Sequence, residues 1–191
     1  MDVIERAKNI LLQPAQEWTM IDKEPGSAAE LYKSYIVPLA AIGPVASIIG
    51  LSIFGISVPL GGTYRVPLTS AIGQAVTTYI FGLIGTYVLA LIIDALAPTF
   101  LGTKNNFQAL KVAAYSSTAA WLVGIFNLLP SLALLNILGI YSLYLLYLGL
   151  PILMKAPQEK ALPYTIVVII AAIVIFGVIG ALGSCFIRPM P

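Results

Sequence analysis

Five long apolar stretches restrict the fold of this chain more severely than anything else in its sequence. They run roughly from Tyr35 to Val58, Ser70 to Ala97, Ala109 to Leu129, Leu132 to Met154 and Leu162 to Ile187. About 20 mostly apolar residues let a helix cross the hydrocarbon core of a bilayer, where only a closed backbone hydrogen-bond ladder is tolerated. The third and fourth stretches are separated only by Pro130 and Ser131, and one helix of their combined length would far exceed the bilayer, so a tight helical hairpin is expected. Charged residues make up 9% of the 191-residue chain, against about 25% in a soluble domain. The predicted fold class is therefore all-α, an integral membrane bundle of five transmembrane helices preceded by a short amphipathic cytoplasmic helix. Residues 1–33 form the N-terminal segment and residues 34–191 the membrane domain.

Orientation follows from lysine and arginine in the loops. Arg6, Lys8, Lys23, Lys33, Lys104, Lys111, Lys155 and Lys160 fall on one side, and only Arg65 and Arg188 on the other. A cytoplasmic N-terminus and a C-terminus across the membrane are expected. The opening residues carry Asp2 and Glu5 and have no uninterrupted apolar core, so the segment is not read as a signal peptide and the mature chain is expected to begin near Met1.

Ahead of the first span, Val3, Ile4, Ala7, Ile10 and Leu11 recur at helical spacing until Pro14 stops the pattern, and Trp18 follows. Two readings fit: a helix lying on the cytoplasmic leaflet with Trp18 as interfacial anchor, or a cap packed across the ends of the bundle's own helices. Ser27 to Glu30 reads "SAAE", a capping box that starts the first membrane helix near Ala28. Pro38 and Pro44 predict kinks within it.

Catalysis has little to work with. Histidine is absent, which removes the usual general base and the commonest metal ligand. The single cysteine, Cys185, can form neither an intramolecular disulfide nor a multi-thiolate site. There is no phosphate loop, metalloprotease helix or nucleophile elbow. No catalytic residue, metal or cofactor is assigned, and a net charge of +2 gives no basis for nucleic-acid binding.

One acid, Asp94, sits near the inner end of the second span. Intramembrane charges find partners or mark pathways, and the candidate polar cluster around it is Asp94, Lys111, Tyr115 and Ser116. Either an Asp94–Lys111 pair ties spans two and three together, or Asp94 is a proton or cation site. A candidate partner surface at the cytoplasmic face comprises Glu17, Trp18, Asn105, Gln108 and Gln158. Within the bundle, Gly43, Ser47 and Gly50, then Ala113, Ser117, Ala120 and Gly124, then Gly177, Ala181 and Ser184 have spacings suited to close helix contact. The Gly43-x-x-x-Ser47 spacing fits pairing within one chain or between two copies. Tyr141, Tyr144 and Tyr147 cover a broad arc of span four, and Asn127 and Asn136 flank the Pro130 turn, where they can bond across the hairpin.

Three stretches, "LLQPAQEWTMIDKEP", "NFQALKVAAYSSTAAW" and "LYSLYLLYLGLPILMKAPQEKALPYT", together resemble the YIP family of Ypt/Rab-interacting membrane proteins in its short bacterial form. The resemblance covers nearly the whole chain. It implies five membrane helices, a cytoplasmic N-terminus, no catalytic machinery and, for a bacterial member, the inner membrane. Its eukaryotic members are linked to Rab binding and vesicle traffic. Their D-L-x-G-P element is absent here; the nearest echo is "AAIGP", with Gly43 and Pro44. The expected function is a non-enzymatic protein that organises membrane lipids or a protein partner at the cytoplasmic face. The rival expectation is a small transporter or channel using Asp94 and a polar route between helices.

Overall fold

Hydropathy and helix-start signals lead directly to the observed elements. The computed structural model describes residues 2–58 and 62–186. Among these residues five helices are long and apolar enough to span a membrane: Ala28–Phe54, Leu68–Phe100, Asn106–Leu128, Pro130–Leu153 and Gln158–Gly177, the last continuing helically to Phe186. They are called the first to fifth spans.

The first span begins where its capping box places it. Ser27 Oγ accepts from the Glu30 amide, and the Glu30 carboxylate accepts from the Ser27 amide. Its prolines interrupt it as expected. A π-helical turn over Tyr32–Ile36 precedes Pro38, with the Val37 amide bonding back to Tyr32 O, and a break at Ala41 precedes Pro44. Tyr79 of the second span donates to Val37 O from outside, so a neighbouring helix supplies a donor beside the broken ladder.

Spans three and four form the expected hairpin, joined through Leu129 alone. Near this turn both wind as 3₁₀ helix, over Gly124–Leu128 and Pro130–Ile140. Such length is unusual, since 3₁₀ runs beyond three or four residues are uncommon. Asn136 Nδ2 donates to Asn127 Oδ1 at 2.8 Å, the bond expected across the hairpin. Between the first two spans a short antiparallel pair, β1 (Ile56–Val58) and β2 (Gly62–Tyr64), has Ile56 opposite Tyr64. Gly55 precedes it with φ of 76°, and a Cβ there would lie 2.6 Å from Tyr64 O. Nothing in the apolar pattern announces this hairpin.

Small residues bring spans one and three together. A Cβ on Gly124 would lie 2.7 Å from Gly43 Cα, and one on Gly50 would lie 1.9 Å from Asn127 O, so backbones touch where side chains are missing. In span five, by contrast, Gly177 faces open space. The Ala181 and Ser184 side chains, with Arg188, lie outside the described residues.

Before the spans come two helices, α1 (Val3–Leu12) and α2 (Pro14–Lys23). Pro14 both ends the first pattern and starts the second, because a proline at a helix's first position loses no bond it could have made. Both helices pack on the ends of the spans: Ala7, Ile10, Trp18 and Ile21 are buried. Of the two readings of the amphipathic segment, the cap is the one observed.

Candidate functional site: a clasp between the N-terminal cap and the bundle

The cap is held by charges and one aromatic plug. Arg6 lies on the apolar face of α1, and its guanidinium reaches α2 in two directions. One amino group donates to Glu17 Oε1 at 2.5 Å and the other to Glu24. Arg6 and Glu17 side chains are 5% and 4% exposed, so the first bond is a buried ion pair. Breaking such a pair leaves an uncompensated charge. Burial pulls the Arg6 pKa down, yet the Glu24 hydrogen bond and the nearby carboxylates leave it above its ordinary value. The guanidinium also lies 5.6 Å from the centre of the Tyr115 ring, close enough for cation–π attraction.

The C-terminal end of α2 is gripped by spans three and four. Lys111 Nζ donates to Ile21 O at 2.9 Å and to Glu24 O at 2.6 Å. A cation that bonds carbonyls at the negative end of a helix dipole is stabilised by both effects, here as a second donor to Ile21 O beside the Glu24 amide. Gln108 Nε2 donates to Asp22 O at 3.0 Å, and Lys155 pairs with Asp22 Oδ2 at 2.5 Å. Higher on the cap, the Tyr141 hydroxyl donates to Leu11 O.

Trp18 fills the seat between these bonds. Its side chain is fully buried, and a Cβ on Gly149 would lie 2.7–2.9 Å from three of its ring atoms. Span four can accept the indole only because residue 149 has no side chain. The edge of Trp18 meets Tyr115 with ring centres 6.3 Å apart, and Tyr115 packs on Tyr35 at 4.6 Å. Tyr35 and Thr118 share a hydroxyl hydrogen bond, and Thr118 returns a bond to Tyr115 O. An aromatic column thus joins the cap to spans one and three.

This arrangement corrects two expectations. Asp94 and Lys111 do not pair: Lys111 turns towards the carbonyls at the end of α2, where two charge-assisted bonds await it. Asp94 Oδ1 is buried without a hydrogen-bond partner among the described residues. Beside it the Tyr164 hydroxyl donates to Ile93 O and the Tyr164 ring stacks on Phe100. Of the four residues in the candidate polar cluster, Lys111 and Tyr115 join the clasp, while Ser116 bonds within its own helix to Ala113 O.

The second correction concerns the partner surface. Glu17 and Trp18 are 3% and 0% exposed, so they face the bundle and are not available to a partner. The reason is charge and shape: Arg6 neutralises the acid, and Gly149 makes room for the ring. Gln108 is half-buried and committed to Asp22. Asn105 and Gln158 are exposed, although Asn105 also caps the third span by accepting from the Gln108 amide.

Arg6, Asp22, Glu24, Gly149 and Lys155 were absent from the sequence-derived site. One signal could have found Arg6: it stands at helical spacing among Val3, Ala7 and Ile10, and a charge on an apolar face demands a buried partner. No comparable signal marks Gly149.

Comparisons with known proteins agree with this geometry in extent. A family model, the Yip1 domain, matches residues 8–179, which takes in most of the cap and all five spans. Two curated relatives, both named inner membrane protein YohC, come from Escherichia coli strains K12 and O6:H1. Each is 25% identical over 156 residues, covering 80% of this chain and 80% of the relative. No solved structure matches the chain.

Proposed function

The chain belongs to the Yip1 family and is an integral membrane protein, and from that premise we propose that it organises protein or lipid partners at the capped face of the bundle, without catalysis. The E. coli relatives are inner membrane proteins by name; the proposal puts this chain in the same membrane, with the capped face in the cytoplasm. Eight of the ten lysines and arginines belong to that face or the helix ends beneath it, which supports the orientation.

The carrying observation is the outer face of the cap. Ile4, Leu12 and Met20 are 75%, 69% and 58% exposed on helices outside the five spans. Lipid-facing apolar residues on a span need no explanation, whereas apolar residues on a cap lie where water or headgroups would meet them. Because the clasp holds the inner face of α1 and α2, the outer face is presented in a fixed orientation. Asn105, just before the third span, and Gln158, at the start of the fifth, add exposed polar groups.

Photocrosslinking from Met20 and Gln158 in native membranes, with mass spectrometry of the adducts, tests the reading. A discrete protein adduct, or one lipid class enriched over the bulk bilayer, supports it. Adducts that merely mirror the bulk lipid composition overturn it.

A further inference from the structure

The half of the bundle away from the cap contains polar groups that the clasp does not employ. Between the first four spans lies a partly open cavity of about 220 Å³, lined among others by Ser47, Thr78, Trp121, Asn127 and Asn136. A smaller one of about 50 Å³ shares Ser47 and Thr78 and adds Gln74. Ser47 stands seven residues before the end of its span, about 10 Å from that end at 1.5 Å per residue. The cavity therefore reaches into the membrane-spanning region.

Its chemistry is specific in two respects. Among the described residues no charged side chain lines either cavity, so an ion entering would lose its hydration without a counter-charge from them. The asparagine pair is only half used. Asn136 Nδ2 bonds Asn127 Oδ1, and whichever way the two amides are turned, one such bond leaves an amino group and a carbonyl oxygen free. Ser47 donates to Gly43 O and keeps its lone pairs for a donor. A group that both donates and accepts fits these partners, and a hydroxyl does both. Trp121 also lines the cavity, and a large apolar side chain there gives the C–H groups of a polyol or sugar a contact. The walls are held by the close approach of Gly43 and Gly124 and by the contact between Gly50 and the Asn127 backbone.

We propose that this cavity binds an uncharged hydroxylated group no larger than about one sugar ring, the volume lying below the roughly 300 Å³ of drug-sized sites. The group arrives as a free polyol or as the headgroup of a neutral glycolipid.

The test uses thiol accessibility in full-length protein. Cys185, the single cysteine, is replaced by serine, and Ser47→Cys or Thr78→Cys is introduced, with Ile80→Cys as the lipid-facing control. Protein in phosphatidylcholine vesicles is treated with a membrane-impermeant thiosulfonate, and rates are normalised to Thr63→Cys, an exposed position on the same side of the bundle as the cavity. Both cavity cysteines should react several-fold faster than Ile80→Cys. Glycerol or sorbitol should slow them several-fold if the source is a free solute. Monoglucosyl diacylglycerol in the vesicles should do so, with free polyols having no effect, if the source is a lipid. Protection at Thr78→Cys should disappear when Asn136→Leu is added. Cavity cysteines no more reactive than Ile80→Cys, absence of protection by every probe, or protection that survives Asn136→Leu would each overturn the proposal.

Discussion

Adding one methyl group to span four should unseat the N-terminal cap. In Gly149→Ala the new Cβ falls 2.7, 2.8 and 2.9 Å from three atoms of the Trp18 indole, where carbon contacts settle at about 3.5–4.0 Å. Relief of that overlap requires a shift approaching 1 Å. The ring is fully buried against Tyr115 and cannot slide sideways into solvent. Instead α2 must lift, drawing the Ile21 and Glu24 carbonyls away from Lys111 and straining the Arg6–Glu17 pair. Overpacking of this kind costs about 1–3 kcal/mol, which multiplies the detached population of the cap by about fivefold to 150-fold. Amide hydrogen exchange over residues 3–23 in nanodiscs reads that population directly, because these amides exchange through local opening. Protection equal to wild type would refute the seat. A second variant separates causes: with Trp18→Leu in place the methyl should cost far less, and an undiminished cost would show that Gly149 serves helix contact and not the indole.

Other outcomes follow from the same geometry. Arg6→Ala leaves Glu17 buried without its cation and should lower cap stability by about 3–5 kcal/mol, whereas Lys155→Ala, at a pair whose lysine is half exposed to solvent, should cost about 1 kcal/mol or less; both are measurable by the same exchange experiment. Asp94→Asn breaks no ion pair among the described residues and should leave the melting temperature in detergent unchanged, and ion or proton flux in proteoliposomes above background for wild type but not for this variant would restore the transport reading. Asn127→Leu removes one interhelical hydrogen bond and should destabilise the hairpin of spans three and four by about 0.6–1.7 kcal/mol, read by denaturant titration in mixed micelles.

Hydropathy made the spans legible because a bilayer imposes one length and one solvent on every crossing helix. The capping box and the Asn127–Asn136 bond were legible because both depend on residues close in sequence. The clasp was not. An amphipathic pattern is the same whether its apolar face meets lipid or protein, so Trp18 could be read as an interfacial anchor while in fact filling a seat on span four. The partner of Lys111 was misplaced for a related reason. Asp94 lies nearer in sequence, but the carbonyls that Lys111 uses belong to a helix about 90 residues away and carry no side-chain signature. The 3₁₀ winding near the Pro130 turn and the hairpin after Gly55 depend on backbone geometry that apolar sequence does not encode distinctly.

The clasp also sets an order of assembly. The cap is synthesised first, but Tyr141 lies 130 residues after Leu11 and Lys155 lies 133 after Asp22. At about 5–20 residues per second the interval is on the order of 10 s. Throughout it α1 and α2 have no seat, and their apolar faces must rest on the membrane surface or a chaperone. A closed cap thus certifies that four spans are already in place, and a nascent or truncated chain displays the same helices with their inner faces uncovered.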